Sequence, residues 1–351
     1  MEYTPNQNGR KTAIIVGVVL AVLLVLLITS IFLFVNVSVL EPEDTETDYV
    51  PQTLDEEDMQ TEEEAKDQQV SLTIDDFVDY VTAQGDWIYY SYTERGILAV
   101  TRISADGAEE QRTEVEWKGW WPMLTAFEVT DEGHFLFLLH EFGGEEEVYY
   151  YVKYNTNTGE VSYQNISDVF SFDVETTWVS RAIFDRAGNL FIMLFDEEVI
   201  YVFDQNRHFH GHVDLGEFWV MNASRARDGQ VLLHGMDDNF EWVLKGIDLE
   251  TNTLTEPISF LDTNRRIWNI YSAQSSAQFD LFLDLEADGV YHLYGFNMGT
   301  GALTFLLNWD EIGILPDFSD EVFFLENGRI AVLQRHFERD RFWSELTIFT
   351  P

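Results

Sequence analysis

The sequence contains no cysteine. This absence excludes disulfide bridges, zinc sites with cysteine ligands, thiol catalysis and a lipid anchor attached through a cysteine side chain. Basic residues are also scarce, since 20 Lys and Arg stand against 63 Asp and Glu and give a formal net charge of −43. A chain with this charge is repelled by phosphate backbones, so we expect no nucleic acid partner.

Known catalytic motifs are absent as well. The sequence has no Gly-x-Ser-x-Gly elbow, no His-Glu-x-x-His pair, no phosphate-binding loop and no dinucleotide-binding fingerprint. We therefore expect a protein that is not an enzyme and that needs no cofactor. Acidic residues are so abundant that carboxylate pairs occur by chance, and such a pair indicates catalysis only when its geometry is known.

Residues 13–35 form one uninterrupted apolar segment of 23 residues. As a helix this segment is roughly 34 Å long, which matches a hydrocarbon layer of about 30 Å. It predicts a single transmembrane helix, and the alternative is a long signal peptide that is cleaved. Arg10 and Lys11 precede the segment, so the positive-inside rule places residues 1–12 in the cytoplasm and the rest of the chain outside the cell.

Residues 36–67 follow as an acidic segment. Between positions 41 and 67 there are 13 acidic residues and one lysine. Such a segment repels itself and buries little apolar surface, so we expect a disordered, extended linker between membrane and domain. Weak binding of divalent cations and docking of a partner are the alternatives.

Residues 68–351 carry short runs of β-forming residues separated by turn sequences. The runs include Trp87–Tyr92, Phe135–Leu139 and Val148–Val152, and the turns include Asp106–Gly107 and Asp228–Gly229. This alternation predicts an all-β domain, either a sandwich, a barrel or a propeller.

An internal repeat favours the propeller. Trp178 and Gly188 recur as Trp219 and Gly229 after a shift of 41 residues. Units of 40–50 residues with about four strands are typical of propeller blades. The domain length predicts about six blades, with Val70–Ile74 adding a strand to the last blade and closing the ring. The predicted blades span residues 84–121, 122–170, 171–216, 217–262, 263–312 and 313–351.

Several hairpins also carry a family resemblance. The Trp-x9-Gly units, the hairpins NTNTGEV (155–161) and GTGALTFLLNW (299–309) and the segment LENGRIAVLQ (325–334) resemble the N-terminal propeller-like region of extracellular solute-binding proteins from clostridial ABC transporters. The likeness covers about residues 70–351. It implies a propeller and a role as an accessory or truncated relative of such proteins, because the solute-binding domain would begin at about Pro351.

Tryptophans provide the main candidates for a ligand site. Six of them lie near the predicted connections between blades: Trp120, Trp121, Trp178, Trp219, Trp268 and Trp309. One explanation is packing between neighbouring blades. The other is that the first five line the mouth of the central channel and stack on sugar rings, with carboxylates binding the hydroxyl groups. Trp121 is the most irregular member of the set.

Two further motifs suggest metal sites. His208, His210 and His212 alternate along a predicted strand and would share one face, but an exposed outer strand is the alternative. Asp284–Gly289 resembles the first half of a calcium loop, but position twelve of that loop is Gly295, which favours a hairpin turn.

Together these features predict a membrane-anchored, extracellular β-propeller that acts as a non-catalytic binding module for a carbohydrate or a protein. The alternatives are an accessory or truncated relative of a transporter's solute-binding protein, and a carbohydrate-active propeller enzyme.

Overall fold

Strands and tight turns alternate along the chain and form six four-stranded antiparallel sheets in the computed structural model. The structure describes residues 69–74, 78–94, 97–117, 122–141, 148–170, 179–195, 197–258, 266–273, 275–287, 289–314, 321–338 and 341–350.

Five of the sheets each consist of four consecutive strands. Blade 1 contains β2 (Tyr80–Gln84), β3 (Trp87–Glu94), β4 (Ile97–Ser104) and β5 (Glu110–Glu116). Blade 2 contains β6 (Pro122–Val129), β7 (Phe135–Glu141), β8 (Val148–Asn155) and β9 (Glu160–Asn165). Blade 3 contains β10 (Val179–Phe184), β11 (Leu190–Leu194), β12 (Val199–Phe203) and β13 (Phe209–Asp214). Blade 4 contains β14 (Trp219–Arg225), β15 (Val231–Met236), β16 (Trp242–Asp248) and β17 (Thr253–Leu254). Blade 5 contains β18 (Arg266–Tyr271), β19 (Leu281–Ala287), β20 (Val290–Asn297) and β21 (Ala302–Asn308).

Blade 6 combines strands from the two ends of the domain. It contains β22 (Glu321–Phe324), β23 (Ile330–Glu338), β24 (Arg341–Phe349) and, as its outermost strand, β1 (Val70–Ile74). β1 pairs antiparallel with β24, from Val70 opposite Ile348 to Ile74 opposite Ser344. The structure thus confirms the propeller, its six four-stranded blades and closure of the ring by residues 70–74.

The predicted start of the first blade at residue 84 is wrong. Its first strand is β2, which begins at Tyr80. Innermost strands are covered on both sides, and β2 accordingly buries Val81, Thr82 and Ala83 in succession. A run of buried residues in a five-residue strand lacks the alternation that marks a half-exposed strand in sequence.

The innermost strands β2, β6, β10, β14, β18 and β22 contact one another in this order, and β22 returns to β2. Because every blade has four antiparallel strands, all six innermost strands run in the same direction. We call the face where they begin the upper face and the face where they end the lower face.

The apolar core lies between the blades. Buried side chains form six clusters in the described part of the chain, each between two neighbouring blades. Between blades 1 and 2, for example, Leu98 and Val100 pack with Phe137 and Leu139. Burying one such side chain contributes about 1.5–3 kcal/mol, so contacts between blades are a main source of stability.

The repeated glycine of the Trp-x9-Gly units forms the turn after the innermost strand. Gly188 and Gly229 have φ angles of +90° and +94°, which favour glycine. A Cβ atom at Gly229 would lie 2.7 Å from Cβ of Arg186 in the neighbouring blade. The glycine is therefore required by both the turn and the close approach of two blades.

The predictions for residues 1–12, 13–35 and 36–67 lie outside the described residues. In the part of the chain that the structure describes, no helix has the length and apolar character needed to cross a bilayer. The one α-helix found there, α1 (Trp309–Ile312), has four residues.

Candidate functional site

The innermost strands enclose a central channel with a cavity of about 480 Å³. Its described lining carries three arginines and three carboxylates, namely Arg181, Arg225, Arg335, Asp79, Glu128 and Glu321. Basic residues are far fewer than acidic ones in this chain, 20 against 63, but the described lining of the channel has equal numbers of the two.

One ion pair crosses the lower part of the channel. Nη2 of Arg225 at the end of β14 lies 2.5 Å from Oε2 of Glu128 on β6, and both side chains are buried. Thr82, on the neighbouring blade 1, donates to Oε1 of Glu128 at 3.0 Å. Burial raises the pKa of Glu128, while Arg225 acts against this rise. Nη1 of Arg225 is buried and has no hydrogen-bond partner among the described residues.

A chain of polar contacts joins three blades in the upper part of the channel. Arg181 of blade 3 donates to the side-chain oxygen of Asn222 in blade 4, which donates to the side-chain oxygen of Asn269 in blade 5. Each of these residues follows a shift of register in its innermost strand. Such bulges redirect side chains, and here they direct three equivalent positions into one network.

Arg335 performs a similar role between blades 6 and 1. It lies 2.7 Å from Oε1 of Glu321 and donates to the backbone oxygens of Val78 and Asp79 at 2.8 and 3.2 Å. Burial raises the pKa of Asp79 to about 6 and that of the neighbouring Tyr80 to about 12. Arg335 is thus used to join the last blade to the first.

An open groove lies on the upper face between blades 3 and 4. It has a volume of about 650 Å³, and the exposed fractions of Trp219, Phe195 and Met221 are 69%, 53% and 43%. We call it the upper groove; its lining includes Ser180, Arg181, Phe195, Glu197, Glu198, Glu217, Trp219 and Met221. Large apolar side chains are costly to expose, so three of them beside one cavity indicate a binding surface.

Arg181 lines both the upper groove and the channel. Its Nη2 donates to the backbone oxygen of Met221 at 3.1 Å, and burial lowers the pKa of its guanidinium. Glu197 accepts a hydrogen bond from the hydroxyl of Tyr201 at 3.0 Å. The groove therefore offers aromatic faces, carboxylate acceptors and guanidinium donors at one place.

The structure separates the predicted tryptophans. Trp219 is exposed in the upper groove, whereas Trp268 lies 5.2 Å from Tyr291 with the guanidinium of Arg266 over its ring. Trp309 is fully buried and donates to Oδ1 of Asp284 at 3.1 Å, which agrees with a packing role. Trp120, Trp121 and Trp178 lie outside the described residues.

The predicted metal motifs are not assembled into sites. The three histidines lie exposed at the outermost strand of blade 3, where His208 is 3.6 Å from Asp204 and Nε2 of His210 is 3.2 Å from the backbone oxygen of Leu249. A shift of register between Phe209 and Gly211 breaks their alternation. Across the described ranges, no group of three His, Asp or Glu side chains is placed to hold a metal ion.

Asp284, the first residue of the predicted calcium loop, lies inside β19 and is fully buried. Burial raises its pKa to about 7, against the lowering effect of the Trp309 indole N–H. The second carboxylate oxygen has no partner in the described structure. This residue therefore belongs to the packing of blade 5.

Sequence reasoning missed Arg181, although a pattern for it exists. Arg181 and Asn222 each stand three residues after the repeated tryptophan, so the 41-residue shift places them at the same position of two blades. Equivalent positions of neighbouring blades lie side by side once the blades form a ring. The repeat therefore predicts that Arg181 and Asn222 are neighbours, as they are in the structure. Phe195 has no such pattern, because its exposure depends on the turn between β11 and β12.

Comparisons with known proteins find similar folds among solved structures and no match at the level of sequence. No family model matches the sequence, and no curated protein matches it. An oligogalacturonate lyase in complex with manganese is 10% identical over 76% of this chain and 74% of its own, with a TM-score of 0.49. A luciferin-regenerating enzyme is 11% identical over 81% and 95%, with a TM-score of 0.48. TolB from Acinetobacter baumannii is 13% identical over 75% and 64%, with a TM-score of 0.46. None of the three bears on the resemblance to clostridial solute-binding proteins, which stays a prediction.

Proposed function

We propose that the protein is a membrane-anchored, extracellular β-propeller that binds a carbohydrate without transforming it. One observation supports this proposal most directly: Trp219 is 69% exposed in the upper groove, which also presents carboxylates and Arg181. Aromatic faces pack against the apolar faces of sugar rings, and the polar groups around them accept or donate hydrogen bonds to hydroxyl groups.

The charge of the upper groove favours a neutral sugar. Glu197, Glu198 and Glu217 line it together with one described cation, Arg181. Carboxylates repel uronic acids at short range, and the high negative charge of the whole chain adds to that repulsion. We therefore expect a neutral oligosaccharide in preference to an acidic one.

The arrangement of the channel supports a non-catalytic role over the enzyme alternative. Glu128 is paired with Arg225, Glu321 is paired with Arg335, and Oδ2 of Asp79 accepts the backbone N–H of Thr93 at 3.0 Å. No tryptophan is found in the described lining of the channel. Carboxylates that are held by internal partners lack the free pair that glycoside hydrolysis requires.

The anchor is supported by the apolar segment 13–35 and the acidic segment 36–67. Protease treatment of intact cells tests this part. We expect residues 68–351 to be released from the cell surface while residues 1–12 stay protected. Recovery of the whole chain in the soluble fraction would contradict the anchor.

A glycan array probed with the full chain tests the ligand. We expect Trp219→Ala to lose binding of neutral oligosaccharides at an unchanged melting temperature. Phe305→Ala is the matched control, because Phe305 is 52% exposed on the outermost strand of blade 5 and does not line the groove. Equal glycan binding by the Trp219 variant and the wild type would refute the groove as the site.

A further inference from the structure

A second aromatic surface lies at the interface between blades 1 and 2, apart from the upper groove. It consists of Trp117, which directly follows β5, with Tyr150 on β8 and Tyr163 on β9. We call these three residues the aromatic corner. Its cavity shares no described lining residue with the upper groove, so the two surfaces can be tested separately.

The three rings meet at steep angles. The ring centroids of Trp117 and Tyr150 are 5.3 Å apart at 65°, and those of Trp117 and Tyr163 are 5.8 Å apart at 69°. The two tyrosine rings are 6.1 Å apart and nearly perpendicular, at 88°. Three planes arranged in this way resemble the walls of a corner. Because the three centroids are 5.3, 5.8 and 6.1 Å from one another, one cation beside them can approach every ring within the ~6 Å reach of a cation–π contact.

A cavity of about 550 Å³ adjoins the aromatic corner, a volume in the range of small-molecule sites. Besides the three rings, its described lining contains Glu114, Glu116 and Glu141 and no Lys, Arg or His. Tyr163 is 56% exposed, so the corner is open to solvent. The cavity therefore combines aromatic walls with negative charge and with no cation of its own.

The three carboxylates of Glu114, Glu116 and Glu141 differ in their partners. Oε1 of Glu114 lies 3.1 Å from Nη2 of Arg112. Burial raises the pKa of Tyr150, and Glu141, which accepts the tyrosine's hydrogen bond, raises it further. Glu116 is exposed and has no ion-pair partner among the described residues. Glu116 therefore places a carboxylate beside the aromatic walls that no described cation pairs with.

We propose that the aromatic corner binds a quaternary ammonium group, the cation of choline and its derivatives. Such a cation is weakly hydrated, and its methyl groups pack against aromatic faces while its charge is attracted to them. Calcium and magnesium require several convergent oxygen ligands, and among the described residues no three carboxylates are placed to hold a metal ion. A sugar ring stacks on one open aromatic face, as Trp219 offers, whereas the corner presents three inclined faces.

Calorimetric titration of the full chain with choline chloride tests the proposal. The matched probe is the neutral isostere of choline, in which carbon replaces the charged nitrogen. We expect choline to bind at least tenfold more tightly than the isostere, because only the cation gains from the ring faces and from Glu116. Equal affinities, or no heat with choline at tens of millimolar, would overturn the proposal.

Three variants locate the site. Tyr163→Ala should weaken choline binding about fivefold or more, Tyr163→Phe should retain it, and Glu116→Gln should weaken it about threefold. Trp219→Ala, in the other surface, should leave it unchanged. Unchanged choline affinity in Tyr163→Ala would disprove the assignment, and so would loss in Trp219→Ala. Titration with glycerophosphocholine distinguishes two sources of the quaternary ammonium group. Tighter binding than that of choline assigns the group to a lipid head group, and weaker binding assigns it to a free metabolite. Either result agrees with binding at the aromatic corner.

Discussion

Arg225 and Arg181, at the two ends of the central channel, have different kinds of partner. In the lower part, Arg225 reaches across the ring to Glu128, and both side chains are removed from water. In the upper part, Arg181 stays beside an open groove whose neighbouring Trp219 is exposed. The lower part is thus closed by pairing between two charged groups, while the upper part presents an exposed aromatic face beside a guanidinium that is bonded to neutral groups. Three predictions test this difference and a fourth concerns the buried Asp284 of blade 5; all four are ordered from the largest expected effect on stability to the smallest.

Arg225→Met should have the largest effect. It leaves Glu128 buried without its cation, which costs about 3–5 kcal/mol of unfolding free energy in comparable cases. Urea unfolding of the full chain measures the change. The double variant Arg225→Met, Glu128→Leu should recover most of the loss, because no charge is then left buried. A loss below about 1 kcal/mol in the single variant would show that the lower part does not depend on this pair.

Asp284→Asn should have the second largest effect, and at alkaline pH it should increase the free energy of unfolding, whereas Arg225→Met decreases it. Because the folded-state pKa of Asp284 is raised to about 7 from 3.8, the folded protein binds this proton more tightly than the unfolded chain. Stability from this group is therefore full at low pH, declines as pH rises from about 4 to about 7, and is lost above that. The variant should gain a few kcal/mol at pH 8, at ~1.4 kcal/mol per unit of pKa shift, and nothing at pH 3.5.

A second variant, Asp237→Asn, serves as the control for the pH dependence of Asp284→Asn. Asp237 accepts the backbone N–H of Glu241 in an exposed turn, a hydrogen bond that lowers its pKa. Asp237→Asn should therefore destabilise at neutral pH and not at low pH. A stability gain in Asp284→Asn that is the same at all pH values would contradict the assignment of a buried, protonated carboxyl group.

Arg181→Met should have a smaller effect on folding than Arg225→Met. The side-chain oxygen of Asn222 still accepts a hydrogen bond from the backbone N–H of Ala223 at 2.8 Å, so the change does not leave this oxygen unpaired. We expect a loss of about 1–2 kcal/mol from the hydrogen bonds of the guanidinium, together with about tenfold weaker glycan binding. Thermal unfolding and glycan titration of the same sample measure the two effects. A loss as large as that of Arg225→Met would remove the distinction between the two ends.

Trp219→Ala should change stability least, by less than about 0.5 kcal/mol, because the side chain is 69% exposed. Trp309→Ala is the contrasting variant, since it empties a fully buried site and should cost about 3–5 kcal/mol. Differential scanning calorimetry of both variants measures the contrast. Comparable melting temperatures for the two would show that Trp219 stabilises the fold as much as the buried Trp309 does, against its description as an exposed face of the upper groove.

Local patterns were enough to predict the architecture. Trp178 and Trp219 with their turn glycines repeat at a distance that fits one blade, and the short strands between them leave few other folds. The sequence also predicts that Val70–Ile74 closes the ring, because closure leaves only short, protected sheet edges. The repeat and the short strands are local in sequence, whereas the pairing of Val70–Ile74 with β24 joins the two ends of the domain.

The site depended on contacts that are not local. Arg225 of blade 4 and Glu128 of blade 2 meet only when the blades are arranged around the channel, and no spacing in the sequence indicates that pair. Trp219 and Trp309 both stand near blade connections, but one is exposed and the other is buried beneath its neighbours. What separates them is the surface that an adjacent blade provides, which the sequence around each tryptophan does not contain.

The pairing of β1 with β24 has a mechanical consequence. Any pull on the chain ahead of Val70 reaches the propeller through one five-residue strand, which is held to the last blade by backbone hydrogen bonds along its whole length. The strand under tension is the same one that completes the ring. Traction from a surface to which the chain is attached would therefore act first on the seam of the propeller and leave the other five blades intact until that seam has opened.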